Sequence, residues 1–287
     1  MAVHIPKFYS EKTAKGWNEM KGWLTTFDGN WAFRGQGDSA WDLETSLERA
    51  WRGVGRDVAE RTVIAGYKRK AAGLRGKGHN PRDSLTLLAE MQHYGAPTRL
   101  QDWTKSFYVA AFFACEVERA TKEAAIWALN LAWLKGAALR KIQKVKKDYG
   151  KLTIRDDLNS PRIVDQVVLN NVTQFVLPVT AFEMNERLGI QQGLFLCPGD
   201  VRRTFMENLH ETDKADLPQK CLKFKLGTKF RAEVLADLRR MNISAATLFP
   251  GLDGFAKSLN TELFLLENDE PTFRKVRGGV EGALIYL

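Results

Sequence analysis

The passage from Gln92 to Cys115, QHYGAPTRLQDWTKSFYVAAFFAC, constrains this chain more than any other. Gly95 and Pro97 end a helix that starts near Pro81, because a left-handed turn residue and a missing amide donor do not continue one. Thr98 to Thr104 then reads as extended, with Leu100 and Asp102 on one face and Arg99 and Trp103 off it. The run SFYVAAFFAC that follows is apolar on all sides, the mark of a buried helix. Its Ala110, Ala111 and Ala114 allow close packing against a sheet.

Around this passage helices come first, and strands then alternate with helices. Trp17, Met20, Trp23, Leu24 and Phe27 fall at helical spacing, and Asp28-Gly29-Asn30 closes that helix. Trp31 to Arg34 reads as a short strand stopped by Gly35, and a helix is expected over about 57–72. Further strands are expected at 124–130, 174–179, 192–198 and 220–226, with a helix over about 228–241. Residues 246–259 read as strand, tight turn and helix. This order predicts an α+β fold, a mostly antiparallel sheet with flanking helices. No Gly/Pro/Ser-rich linker divides the chain, so one domain over 1–287 is expected. A polar region at about 148–170 reads as a linker or insertion, at most 131–172.

Composition excludes several classes. At 44% hydrophobic and 27% charged the chain is not intrinsically disordered. The longest apolar run falls far short of the ~20 residues a membrane-spanning helix needs. The first residues, MAVHIPKFYS, lack a secretory signal's apolar core, so a cytoplasmic protein is expected. Three separated cysteines read as inert core thiols. The formal charge of +9 is concentrated. Nine basic residues face two acids between Arg52 and Arg82, and six face none between Lys135 and Lys147. Such clusters attract polyanions, or solubilise a helix face.

Familiar catalytic signatures are absent: there is no GxSxG, HExxH, Walker A loop or GxGxxG. Four histidines make a multi-histidine metal site improbable, and no metal is expected. The candidate residues are polar ones set among apolar ones. Arg34, at the end of an apolar strand, is either the partner of a buried acid or a clamp for an anionic ligand. Arg99, Asp102 and Thr104 share one strand with Trp103; an Arg99–Asp102 pair would be structural. His93 is a base or a helix-end histidine satisfied by backbone.

Phe33-Arg34-Gly35, the string from Gln92 to Thr104, Arg187-x-x-x-Gln191-x-Gly193-x-Phe195 and Leu248 to Gly254 together resemble the FRG domain family over about residues 15–260. In motif order that family is similar to ADP-ribosyltransferases. The resemblance implies an ADP-ribosyltransferase-like fold with NAD as substrate. Arg34 and Gly35 would hold the dinucleotide, with His93, Tyr94, Arg99 and Trp103 around it. Asp102 and Thr104 would occupy the second-strand position, and Gln191 or Gln192 the third. Glutamine stands there where the pattern has glutamate, so Asp102 is the substitute acid, ahead of Asp253 and Glu281. The resemblance further implies a bacterial toxin or antiphage effector acting on nucleic acid, RNA ahead of single-stranded DNA. Lys68, Arg69, Lys70, Arg75, Lys141 and Lys144 would grip that backbone, and a neutralising antitoxin protein is an expected partner. The alternatives are a transferase acting on a protein side chain and a non-catalytic nucleic-acid-binding module.

Overall fold

The computed structural model describes residues 7–27, 30–74, 81–116, 122–145, 149–153, 155–169, 172–180 and 186–268. Its centre is a seven-stranded sheet built from β1 (Ser10–Ala14), β2 (Trp31–Gln36), β3 (Gln101–Thr104), β4 (Ala124–Asn130), β5 (Val176–Val179), β6 (Gly193–Pro198) and β7 (Cys221–Leu226). The strands lie in the order β1-β7-β4-β2-β3-β6-β5. Five of the six pairings are antiparallel; β1 and β7 run parallel. The expectation of a mixed, mostly antiparallel sheet with flanking helices is met. The edge strand β1 escaped sequence analysis because SEKTA is charged and largely exposed, with no apolar alternation to mark it.

The helices are α1 (Trp17–Gly22), α2 (Ser46–Ala50), α3 (Arg56–Leu74), α4 (Ser84–His93), α5 (Phe107–Cys115), α6 (Leu131–Val145), α7 (Pro161–Ile163), α8 (Glu186–Ile190), α9 (Phe205–Thr212), α10 (Leu217–Lys220), α11 (Arg231–Arg240), α12 (Ala245–Leu248) and α13 (Leu252–Asn268). They cover both faces of the sheet, which is why β4 is buried along its whole length. Its side chains alternate between layers: Ile126 and Ala128 pack with α1, α5 and α11, while Trp127 and Leu129 pack with Trp103, Leu194 and Phe205. A third cluster joins α4, α6 and the π-turn Val164–Leu169 to Phe195 and Cys197 of β6.

Within 148–170, the described residues Tyr149, Leu158, Ile163, Val164, Val167 and Val168 all lie in that third cluster. The polar letters between them concealed a core contribution without simple periodicity. Residues 245–248 form a helical turn rather than a strand, because Ser244 caps it through its hydroxyl and the Thr247 amide.

Gly35 fixes the distance between β2 and α5. A β-carbon there would lie 2.0 Å from the Ala110 carbonyl oxygen and 2.5 Å from the Ala114 amide. The small residues of α5 and this glycine are thus two sides of one contact, and the contact holds Arg34, the preceding residue, in place.

Candidate functional site

β2 and β3 register at a single pair, Phe33 opposite Thr104. Beyond it the strands part, and a cleft of about 1910 Å³ opens. On one side stands α5, with Phe113 facing in; on the other stand α3 and α4, with Lys70, Gln92 and His93 on the wall. Arg34 lies on the floor and donates from a terminal guanidinium nitrogen to the Asp102 carbonyl. Its Nε is buried and has no hydrogen-bond partner among the described residues, a costly arrangement that a ligand acceptor would relieve. Burial pulls this guanidinium below the ordinary arginine range, the Asp102 carboxylate opposes that, and Arg49 adds to it.

Asp102 presents its carboxylate to the cleft and accepts 2.8 Å from Gln92 Nε2. The Gln92 amide has one consistent orientation. Its oxygen accepts from Thr98 Oγ1 at 2.5 Å and Ser46 Oγ at 3.2 Å, leaving the nitrogen for the carboxylate. Ser46 Oγ in turn accepts the Thr98 amide, and the Leu47 amide donates to the Thr98 carbonyl. The polar letters of QHYGAPT therefore tie α2, α4 and β3 together behind one acid. Gly95, at φ +80°, supplies the left-handed turn that lets the chain reverse from α4.

The expected site residues separate into two groups. Arg34, Gly35, His93, Tyr94, Asp102, Thr104, Gln191 and Lys70 all line the cleft. Thr104 and Gln191 act within the framework: the Thr104 hydroxyl donates 2.6 Å to the Gln191 carbonyl, and Gln191 Nε2 donates 2.9 Å to the Leu248 carbonyl. Trp103 borders the cleft but is only 3% exposed, and its ring packs with Trp127 and Leu194 in the layer across the sheet. It has no face to offer a ligand ring. Arg99 is removed from the cleft altogether. It is fully buried and pairs with Glu60 of α3 through both oxygens, rather than with Asp102 or a ligand. It also donates to the Val168 and Pro198 carbonyls. Burial opposes its charge, but Glu60 outweighs burial and holds the guanidinium above its ordinary value.

The basic clusters also divide. Arg52, Arg56 and Arg61 are paired with Glu44, Glu48 and Asp57. Lys68, Arg69 and Lys70 are exposed on α3, and Lys70 reaches the cleft. Lys141 sits near Glu211, Lys144 is exposed, and neither lines the cleft. Arg75 and Glu281 lie outside the described residues; Asp253 is exposed away from the cleft. Gln192, at φ +49°, borders a separate small groove. Sequence reasoning missed Gln92, Trp41 and Arg49 as cleft residues; the first stands in the motif itself, while the others carry no local signal.

Among the described residues no helix is long and apolar enough to cross a membrane, and no three His, Cys, Asp or Glu side chains gather to hold a metal ion. No curated protein and no solved structure matches this chain. The stretch that does match a family model, residues 29–123, carries the cleft floor, Arg34, Gln92 and Asp102 together, and that family is the FRG domain.

Proposed function

We propose that this protein is an NAD-dependent ADP-ribosyltransferase whose acceptor is nucleic acid, RNA ahead of single-stranded DNA, built on an ADP-ribosyltransferase-like sheet. The observation that carries the reading is Arg34. A guanidinium with an unpartnered buried Nε, on the floor of a cleft roomy enough for a dinucleotide and beside a fixed carboxylate, suits an anionic ligand that also develops positive charge. In the reaction the bond between ribose C1′ and the nicotinamide nitrogen breaks. Its electron pair leaves with neutral nicotinamide, a nucleophilic atom of the acceptor bonds to C1′, and the acceptor's proton is released. Arg34 would hold the pyrophosphate. The Asp102 carboxylate, aimed by Gln92, would stabilise the cationic ribose more in the transition state than in the ground state. Thr104 and Gln191 fix the wall of the site. A cytoplasmic enzyme with this activity would act as a toxin or antiphage effector, and its host would need a neutralising protein partner.

The test is incubation of the purified protein with labelled NAD and separate RNA, DNA and protein pools. Label enters the RNA pool, and Asp102→Asn lowers the rate by roughly a hundredfold or more while the fold is kept. A folded protein that labels no pool overturns the proposal, and label confined to the protein pool overturns its acceptor.

A further inference from the structure

Two large aromatic side chains at the rim of the cleft are exposed on rigid supports. Trp41 is 54% exposed and Tyr94 73%, and both border the cleft. The segment carrying Trp41 is held at four points. The Ser39 amide donates to the Glu123 carbonyl at 2.6 Å, and the Ala40 amide to Asp38 Oδ1 at 2.8 Å. The Trp41 amide donates to the Asp38 carbonyl at 3.2 Å, and Gln36 Nε2 to the Asp42 carbonyl at 3.0 Å. Gln36 is itself fixed by Trp127 Nε1 at 2.7 Å. Tyr94 caps α4, its amide bonded to the Glu90 carbonyl and its ring set edge-on to His93 with centroids 5.0 Å apart. Neither ring is needed by a core, and neither rides on a loose segment.

Charge at the same rim is arranged around these rings. Lys70 and Arg49 are exposed and face the cleft, and neither pairs with a carboxylate among the described residues. Two of the carboxylates there are occupied, Glu44 by Arg52 and Glu90 by the Tyr67 hydroxyl. Asp42, next to Trp41, repels a phosphate from that spot but not a neutral base. Flat aromatic faces that accept any base, interleaved with cations that follow a backbone, are how single strands are gripped. A duplex keeps its base faces stacked and cannot use such rings.

We infer that Trp41 and Tyr94 stack two unpaired bases of a single-stranded nucleic acid at the cleft mouth, with Lys70 and Arg49 on its phosphates. The inference deepens the acceptor half of the proposed function, and it can be tested without NAD, so either can fail alone. The experiment measures fluorescence anisotropy of a fluorescein-labelled 12-nucleotide RNA, single-stranded and as a duplex, at several salt concentrations. The single strand binds more tightly than the duplex. Trp41→Ala and Tyr94→Ala each weaken binding roughly 5- to 150-fold, and Trp41→Phe restores most of the loss. Lys70→Gln lowers the slope of log K against log salt by about 0.7. Because both rings are exposed, the alanine variants keep the wild-type melting temperature, which separates lost binding from lost fold. The inference is overturned if the wild type does not bind the single strand, or if both alanine variants bind within twofold of it. It is overturned equally if they lose NAD binding while the RNA affinity stays, since the rings would then serve the dinucleotide.

Discussion

Replacing Arg99 separates a framework role from a ligand role, and the structure gives the magnitude. In Arg99→Met the side-chain volume is largely kept, but Glu60 loses both hydrogen bonds from Arg99, and the Val168 and Pro198 carbonyls lose a donor in a fully buried site. Removing one member of a buried ion pair costs about 3–5 kcal/mol. Part of the two carbonyls' desolvation adds to that, so a total near 5 kcal/mol is expected. With a urea dependence of about 3 kcal/mol per molar, the unfolding midpoint falls by roughly 1.7 M. Combining Arg99→Met with Glu60→Leu removes the stranded carboxylate as well. The double variant is therefore more stable than Arg99→Met alone by about 2–3 kcal/mol, and its loss falls well short of the sum of the two single losses, a coupling that only contacting residues show. Urea unfolding of the four proteins of the cycle measures it. Additive losses, or a double variant no better than the single one, would refute the assignment of Glu60 as the partner. A wild-type midpoint in Arg99→Met combined with lost ligand binding would refute the removal of Arg99 from the site.

Three further outcomes follow from the geometry. Gly35→Ala forces β2 and α5 apart by more than 1 Å, so it destabilises by at least the roughly 1–3 kcal/mol of an overpacked core, and it displaces Arg34; thermal melts and ligand titration should change together. Asp237 receives Lys21 Nζ at 2.6 Å and Trp17 Nε1 at 2.7 Å, which hold its carboxyl below the usual range. A depressed carboxyl stabilises the fold above its unfolded value near 3.9 and stops doing so as pH falls through the folded one. Asp237→Asn should therefore cost about 1 kcal/mol in urea melts at pH 7, and the cost should shrink as the pH is lowered below the unfolded value. Burial pushes the Cys115 and Cys197 thiols up to about 12 and raises Cys221 as well, so a thiol reagent at pH 8 should label none of the three until the chain is unfolded.

Local chemistry was what the sequence expressed most clearly. Arg34 before a glycine, the helix stop at Gly95 and the apolar run of α5 all state their roles within a few residues, and each stands where it was expected. Long-range pairing was not legible. The partner of Arg99 sits 39 residues earlier, where Glu60 is one charged letter among several on α3, while Asp102 stands three residues away on the same strand. Gln92 looked like one polar letter among several, because its purpose appears only when Thr98, Ser46 and Asp102 converge on both ends of its amide. The count of basic residues beginning at Arg52 overstated the free charge for a simpler reason. Two of the neutralising acids, Glu44 and Glu48, lie just before that window.

The order of strands bears on what can be cut from this chain. β2 pairs along its length with β4, and β3 with β6, yet both partners lie beyond residue 123. The stretch 29–123 thus holds a motif but only half of each ladder that shapes it. Expressed alone it would leave β2 and β3 each without the strand that pairs along its length, and unpaired strand edges are the usual template for aggregation. The same dependence acts during synthesis. Ser10 of β1 faces Leu222 of β7, so at about 5–20 residues per second the first strand waits on the order of 10–40 s for its neighbour. β4, apolar along its length, waits for that same strand. A ribosome that stops short of residue 226 therefore releases a chain with a bare edge in the middle of its sheet, whatever the state of the cleft.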